Sequence, residues 1–202
     1  MMLNGLVIIT IINKSLDKEA LKDKAHNNYP IFTDYDRAFP SFTFALATGV
    51  GKTRLMGAFI TYLYARKNIK NFLVVAPSLT IYNKLINDFA NSSSSKYVFN
   101  GVGCFDFGPH VISGDEYRKV NFGNFSDVKI FVYNAQKFNS NDENRRFNSL
   151  NEVLGKSFFD YLSELDDLVV LMDEAHHYRN NSTSEALSYS SKRLWWSFKD
   201  DY

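Results

Sequence analysis

Two short segments combine residue types that could handle a polyphosphate. The first is Ala47-Thr48-Gly49-Val50-Gly51-Lys52-Thr53. Its glycines allow a tight backbone turn in which successive N–H groups face one anion, and a helix starting at Thr53 adds the positive end of its dipole. In such a loop Lys52 reaches the β- and γ-phosphates of ATP, and the Thr53 hydroxyl ligates Mg2+. The general phosphate-loop pattern carries glycine where this chain has Leu46. The strand expected before the loop and the helix expected after it supply the context that the pattern requires. A glycine turn that merely precedes a lysine is the competing account.

The second segment is the apolar run Leu168 to Met172 followed by Asp173-Glu174-Ala175-His176. An acid at the carboxyl end of a buried parallel strand lies in the crevice where α/β sheets bind ligands, so Asp173 can hold Mg2+ opposite Thr53. Glu174 can then orient and deprotonate an attacking water. Alone, an acidic pair after an apolar run says little; together with the upstream loop it says much more. His176 and His177 beside two carboxylates allow a metal site instead, but the chain has only four histidines, and its one cysteine excludes a Cys-based cluster. The nucleotide reading ranks above it.

Positioning these residues requires alternating strands and helices. Phe42 to Ala47 reads as a strand entering the glycine turn, and Leu55, Met56, Phe59, Ile60, Leu63 and Tyr64 recur at helical spacing after it. Phe72 to Ala76 is a continuous apolar run ended by Pro77, as in strands covered on both faces. A helix follows with Ile81, Leu85, Ile86 and Phe89 as its stripe, capped by Ser78 or Thr80. Val111-Ile112 and Lys129 to Tyr133 read as further strands. Leu150, Val153, Leu154, Phe158, Tyr161, Leu162 and Leu165 predict a helix leading into Leu168 to Met172. Near the N-terminus, residues 13–30 predict a short helix. Leu3 to Ile12 predicts a buried strand, being too short for a bilayer span and lacking signal-peptide flanks. The sum is an α/β fold, a mostly parallel sheet with helices on both faces.

Composition narrows the class. With 45% apolar and 22% charged residues the chain falls among globular proteins, and 202 residues suit one α/β domain. A formal charge of +1 gives no global positive field, so any nucleic-acid contact must be local. Aromatic residues at 16% could stack on bases, but filling the core accounts for them more simply. Cys104, the only cysteine, fits a reducing cytoplasm and reads as a small buried hydrophobe.

Taken together, residues 47–53 and the Asp-Glu-Ala-His at 173–176 resemble motifs I and II of the superfamily 2 DEAD/DEAH-box helicases, whose motif I commonly lacks the first glycine. FALATGVGKTRLMGAFI (44–60), VVAPS (74–78) as motif Ia, YNAQKF (133–138) and DEAHHY (173–178) are most similar to the Res subunits of type III restriction enzymes. The resemblance covers about residues 40–190 and implies a P-loop NTPase domain of RecA-like fold. It also implies that Thr48, Gly49, Val50, Gly51, Lys52 and Thr53 wrap the triphosphate, that Asp173 positions Mg2+, and that Glu174 is the catalytic base. His176 would couple the nucleotide to neighbouring motifs. Pro77 and Ser78 would lie near the nucleic-acid backbone, though a strand stop and a helix cap account for them equally well. The implied partners are DNA, double-stranded, and a modification (Mod) subunit, with no membrane.

The resemblance divides the chain into a lead-in at 1–39, the ATP-binding domain at 40–180 and an irregular tail at 181–202. No Ser/Thr-Ala-Thr motif III follows Asp173-Glu174-Ala175-His176, and no second RecA-like domain with an arginine finger is present. The chain is therefore expected to be a truncated or frameshifted reading frame or an excised fragment, binding nucleotide and hydrolysing it slowly. The function so expected is that of an ATP-dependent helicase or translocase module. A degenerate nucleotide-binding remnant without motor work is the alternative. A small P-loop kinase is disfavoured by the Asp-Glu-Ala-His sequence and by the lack of an Arg-rich lid.

Overall fold

The computed structural model describes residues 6–11, 23, 26–27, 41–47, 49–114, 128–135, 150–151 and 155–174. The apolar runs form strands: β1 (Leu6–Ile11), β2 (Ser41–Ala45), β3 (Asn71–Ala76), β4 (His110–Ser113), β5 (Lys129–Asn134) and β8 (Leu168–Met172). The helices between them are α1 (Lys52–Lys67), α2 (Leu79–Ala90) and α3 (Phe158–Ser163), and a small ribbon is made by β6 (Leu150–Asn151) and β7 (Lys156–Ser157). Of the helix expected within 13–30, the described positions 23, 26 and 27 are helical, and the others lie outside the described residues.

Local chemistry explains where the helices stop. After Lys67, Asn68 turns left-handed at φ 54°, its N–H donating to the Tyr64 carbonyl at 2.9 Å, and Ile69 N–H donates to Leu63 at 3.3 Å. Arg66 and Lys67 stand in that last turn, where the carbonyl ends favour cations. The Ser78 hydroxyl caps α2 by accepting from the Ile81 N–H at 3.4 Å.

Among the described residues, six strands make one sheet in the order β2-β1-β8-β3-β5-β4. Strands β8, β3, β5 and β4 are mutually parallel, whereas β1 is antiparallel to both of its neighbours, β2 and β8. Two antiparallel steps restore direction, so β2 runs the same way as β8. The carboxyl ends of both therefore reach one edge of the sheet, separated by the width of one intervening strand, about 10 Å from β2 to β8. The lead-in thus contributes a strand to the sheet, inserted between the two strands that carry the motifs.

The pleat divides the core between two faces. Phe72, Val74, Ile130, Val132, Val169 and Leu171 pack with Met56, Ile60 and Leu63 of α1 and Tyr82, Leu85 and Phe89 of α2. On the opposite face the Phe131 ring meets Phe158 at 5.5 Å and Tyr161 at 6.0 Å, both on α3. Apolar contact on both faces is what makes β3, β5 and β8 read as unbroken hydrophobic runs rather than alternating ones. Among the described residues aliphatic side chains make up most of this core, with Phe72, Tyr82, Phe89, Phe99, Phe131, Tyr133 and Phe158 as its aromatic members. Cys104 is half-buried rather than buried, because it lies in the loop after α2 and not under the sheet.

One expected helix is shorter than its periodicity predicts. Leu150–Asn151 pairs antiparallel with Lys156–Ser157, and α3 begins only at Phe158. Gly155, at φ +67°, takes a left-handed conformation that an α-helix does not contain, and the Ser157 hydroxyl accepts from the Asp160 N–H at 3.0 Å to start the helix afresh.

At the end of β4, Gly114 donates to the Val132 carbonyl at 3.0 Å, and a Cβ there would stand 2.8 Å from Tyr133 Cδ2. That ring is buried and stacks on Phe158, so it cannot swing away cheaply. Gly114→Ala is expected to cost about 1–3 kcal/mol by overpacking. A thermal melt indistinguishable from that of the parent would show that the contact is not close in solution.

Candidate functional site

The carboxyl edge of the sheet gathers the chain's candidate chemistry. After β2 the chain enters α1 through Gly51, the N-cap residue at φ 96°. Gly49 is also left-handed at φ +85°, and a Cβ on it would meet nothing within 4 Å, so the loop faces open space. Among the described residues no side chain caps α1, and its first turn holds no acid. Its leading N–H groups and the positive end of its dipole are thus left for an external anion.

From the other side, β8 delivers Asp173, whose N–H donates to the Val75 carbonyl at 3.1 Å and prolongs the β8–β3 ladder by one bond. Glu174 follows in a left-handed conformation at φ 48°, uncommon for a residue with a side chain. The Asp173 carboxylate accepts the Glu174 N–H at 3.0 Å, which steadies this turn. The turn brings Glu174 to Lys52, and the two form an ion pair in which both side chains are mostly buried. Residues more than a hundred positions apart in sequence are thereby joined at one point.

A second ammonium reaches the same place. Lys84, on the second turn of α2, donates to the Thr53 hydroxyl at 3.1 Å and lies 3.6 Å from Asp88. The sequence reading did not single it out. Its neighbours Tyr82 and Leu85 are buried, and a lysine on the outer face of a helix has no signature of its own.

Asp173 is only 5% exposed. Burial is the main cause that raises its carboxyl above the ordinary range, and the adjacent Glu174 charge adds to the rise; Lys52, the Glu174 N–H and Lys84 oppose it. In the pH window between the unfolded and the raised folded values, the folded chain holds more protons than the unfolded one. Stability therefore falls as pH rises through this window, and the cost is fully present above it. Asp173→Asn removes the buried charge yet keeps an oxygen for the Glu174 N–H. It is expected to stabilise the ligand-free chain at neutral pH by roughly 1 kcal/mol, with the gain shrinking in mild acid. Equal melting temperatures of parent and variant at neutral pH would contradict this electrostatic account.

Among the expected site residues, Gly49, Val50, Gly51, Lys52, Thr53, Asp173 and Glu174 come together at this edge, whereas Thr48 and His176 lie outside the described residues. Pro77 and Ser78 follow β3 at the same edge, where Ser78 acts as the helix cap. Of residues 133–138, Tyr133 to Ala135 are described and buried.

The chemistry expected of the site can be tested against this geometry. An uncapped helix start and an open glycine loop suit phosphate oxygens. A hydroxyl on α1 and a buried carboxylate on β8 are hard oxygen donors of the kind that suit Mg2+. The donor set fits both groups.

Comparison with known proteins places the chain in a family. Residues 10–198 match the family described as "Type III restriction enzyme, res subunit". The chain is 30% identical over 153 residues to the "Probable type III restriction-modification enzyme HindVIP Res subunit" of Haemophilus influenzae, a match covering 72% of this chain and 26% of that protein. The chain thus spans about a quarter of the length of that relative. No solved structure matches it.

Proposed function

The chain belongs to the type III restriction enzyme Res-subunit family, and from that premise we propose that it is the first RecA-like, ATP-binding domain of a superfamily 2 DNA helicase or translocase, the motor part of a restriction (Res) subunit. The observation that carries the reading is the meeting of Lys52 with Glu174 beside an uncapped helix start. A phosphate loop and an acidic pair facing each other are what phosphoryl transfer to water requires.

In this reading residues 40–180 form the motor domain, and the loop from Thr48 to Thr53 holds the triphosphate through backbone N–H groups. Lys52 leaves Glu174 for the β- and γ-phosphates. That exchange frees the Glu174 carboxylate to accept a proton from the attacking water. Thr53 and Asp173 hold Mg2+, which when bound supplies positive charge against the phosphate oxygens. His176 links the nucleotide to neighbouring motifs, and Pro77 and Ser78 border the path of DNA. Double-stranded DNA and a modification (Mod) subunit are the partners proposed for the whole protein. Among the described residues no helix is long and apolar enough to cross a membrane.

The direct test is equilibrium binding of a fluorescent ATP analogue in Mg2+, displaced by unlabelled ATP, followed by ATP hydrolysis with and without duplex DNA. A folded chain that fails to bind the analogue would refute the nucleotide reading. Binding and hydrolysis indifferent to DNA would refute the motor assignment alone.

A further inference from the structure

The phosphate-loop reading assigns no task to Lys84, yet it is placed at the position where that reading needs a metal. Its Nζ donates to the Thr53 hydroxyl at 3.1 Å from a separate helix. The same ammonium is one of the two that oppose the upward push of burial on Asp173. Its side chain is 54% exposed, so solvent borders it and the ammonium has room to shift. It already forms an ion pair at 3.6 Å with the buried Asp88, four residues on, and can close fully onto that carboxylate when it leaves Thr53.

A divalent cation of the magnesium kind sits about 2.0–2.1 Å from its oxygen ligands and holds them in a near-octahedral shell. An ammonium already donating to the Thr53 oxygen occupies one of the hydroxyl's two acceptor directions. It also brings a like charge within a few ångströms of the metal position, where repulsion is strong. The two cations therefore compete for one oxygen. Without metal, the ammonium also offers the triphosphate a second positive charge besides Lys52.

Building on the proposed nucleotide site, we infer that Lys84 is a positioning residue that holds the Thr53 hydroxyl when the metal is absent and yields it to Mg2+ by moving onto Asp88, so that Lys84 and Asp88 together set how much Mg2+ the site requires. The inference concerns binding and does not depend on turnover.

The test is binding of the fluorescent ATP analogue to the chain across a Mg2+ titration that begins in EDTA, for the parent, Lys84→Gln, Lys84→Arg and Asp88→Asn. Lys84→Gln is expected to weaken metal-free binding by about three- to fivefold and to lower the Mg2+ concentration at half-saturation by a similar factor, leaving affinity in saturating Mg2+ nearly unchanged. Lys84→Arg keeps the charge and should restore metal-free binding. Asp88→Asn removes the destination and should raise the Mg2+ requirement. A half-saturation point that Lys84→Gln does not move, or equal weakening with and without Mg2+, would overturn the inference while leaving the nucleotide site intact. Absence of binding by the folded parent chain under every condition would overturn both.

Discussion

Glu174→Gln is expected to slow ATP hydrolysis by roughly 10²- to 10⁴-fold, the range ordinarily supplied by a positioned general base, while nucleotide affinity changes little. The amide keeps the shape and the hydrogen-bonding oxygen of the carboxylate but cannot accept the water's proton at neutral pH. Two local effects oppose each other in the folded chain. Losing the acid takes a like charge away from Asp173, and it also deprives Lys52 of its ion-pair partner. Freed of that partner, Lys52 is more available to phosphate, so binding should hold or tighten. Single-turnover hydrolysis with the chain in excess over radiolabelled ATP measures the chemical step directly. A variant that hydrolyses at the parent rate would remove Glu174 from the reaction and leave the water to some other base.

Lys52→Ala has the second large effect, and it falls on binding. A charge-assisted contact to phosphate contributes about 1.5–3 kcal/mol, so affinity for the ATP analogue should drop by roughly 10- to 150-fold. The side chain is only 10% exposed and is paired with Glu174, so its loss also leaves two neighbouring carboxylates with less positive charge nearby. A lower melting temperature is therefore expected in the ligand-free state, and circular dichroism must establish that the variant is folded before its binding is read. Restoring stability with the Lys52→Ala, Asp173→Asn double variant without restoring affinity would separate the two roles. Undiminished affinity in a folded Lys52→Ala chain would show that the glycine loop and helix dipole alone hold the phosphates.

The contrast between these substitutions follows from the position of each group. Lys52 stands at the helix start, where the proposed nucleotide would place its ground-state charge. Glu174 stands across from it on a turn whose left-handed backbone aims the carboxylate at the loop. One is expected to move affinity and the other the chemical step, and a shared structural defect would move both together.

Much of this arrangement is legible in the sequence. Phe72 to Ala76 and Leu168 to Met172 are apolar at every position, which only strands covered on both faces require, and both are central strands of the sheet. Leu55 to Tyr64 carries a helical stripe, and α1 spans it. Gly49 and Gly51 announce a turn with positive φ because other residues rarely take that conformation, and both glycines take it. Residue type and short-range spacing encode these features, so a single sequence determines them.

Three features were decided only by the tertiary structure. Leu6–Ile11 reads as a strand from its composition, but apolar pattern specifies which faces are covered and not which strand lies alongside. Its antiparallel place between β2 and β8 depends on pairing across the whole chain. The spacing of Leu150, Val153 and Leu154 suits a helix, yet Leu150–Asn151 pairs with Lys156–Ser157, Gly155 is left-handed, and a helix starts afresh at the Ser157 cap. Lys84 looks like any solvent-facing lysine until α2 packs beside α1 and brings its ammonium to Thr53. Local sequence carries the types of the groups and the periods of the elements; which groups from different elements meet depends on the topology that packs those elements together.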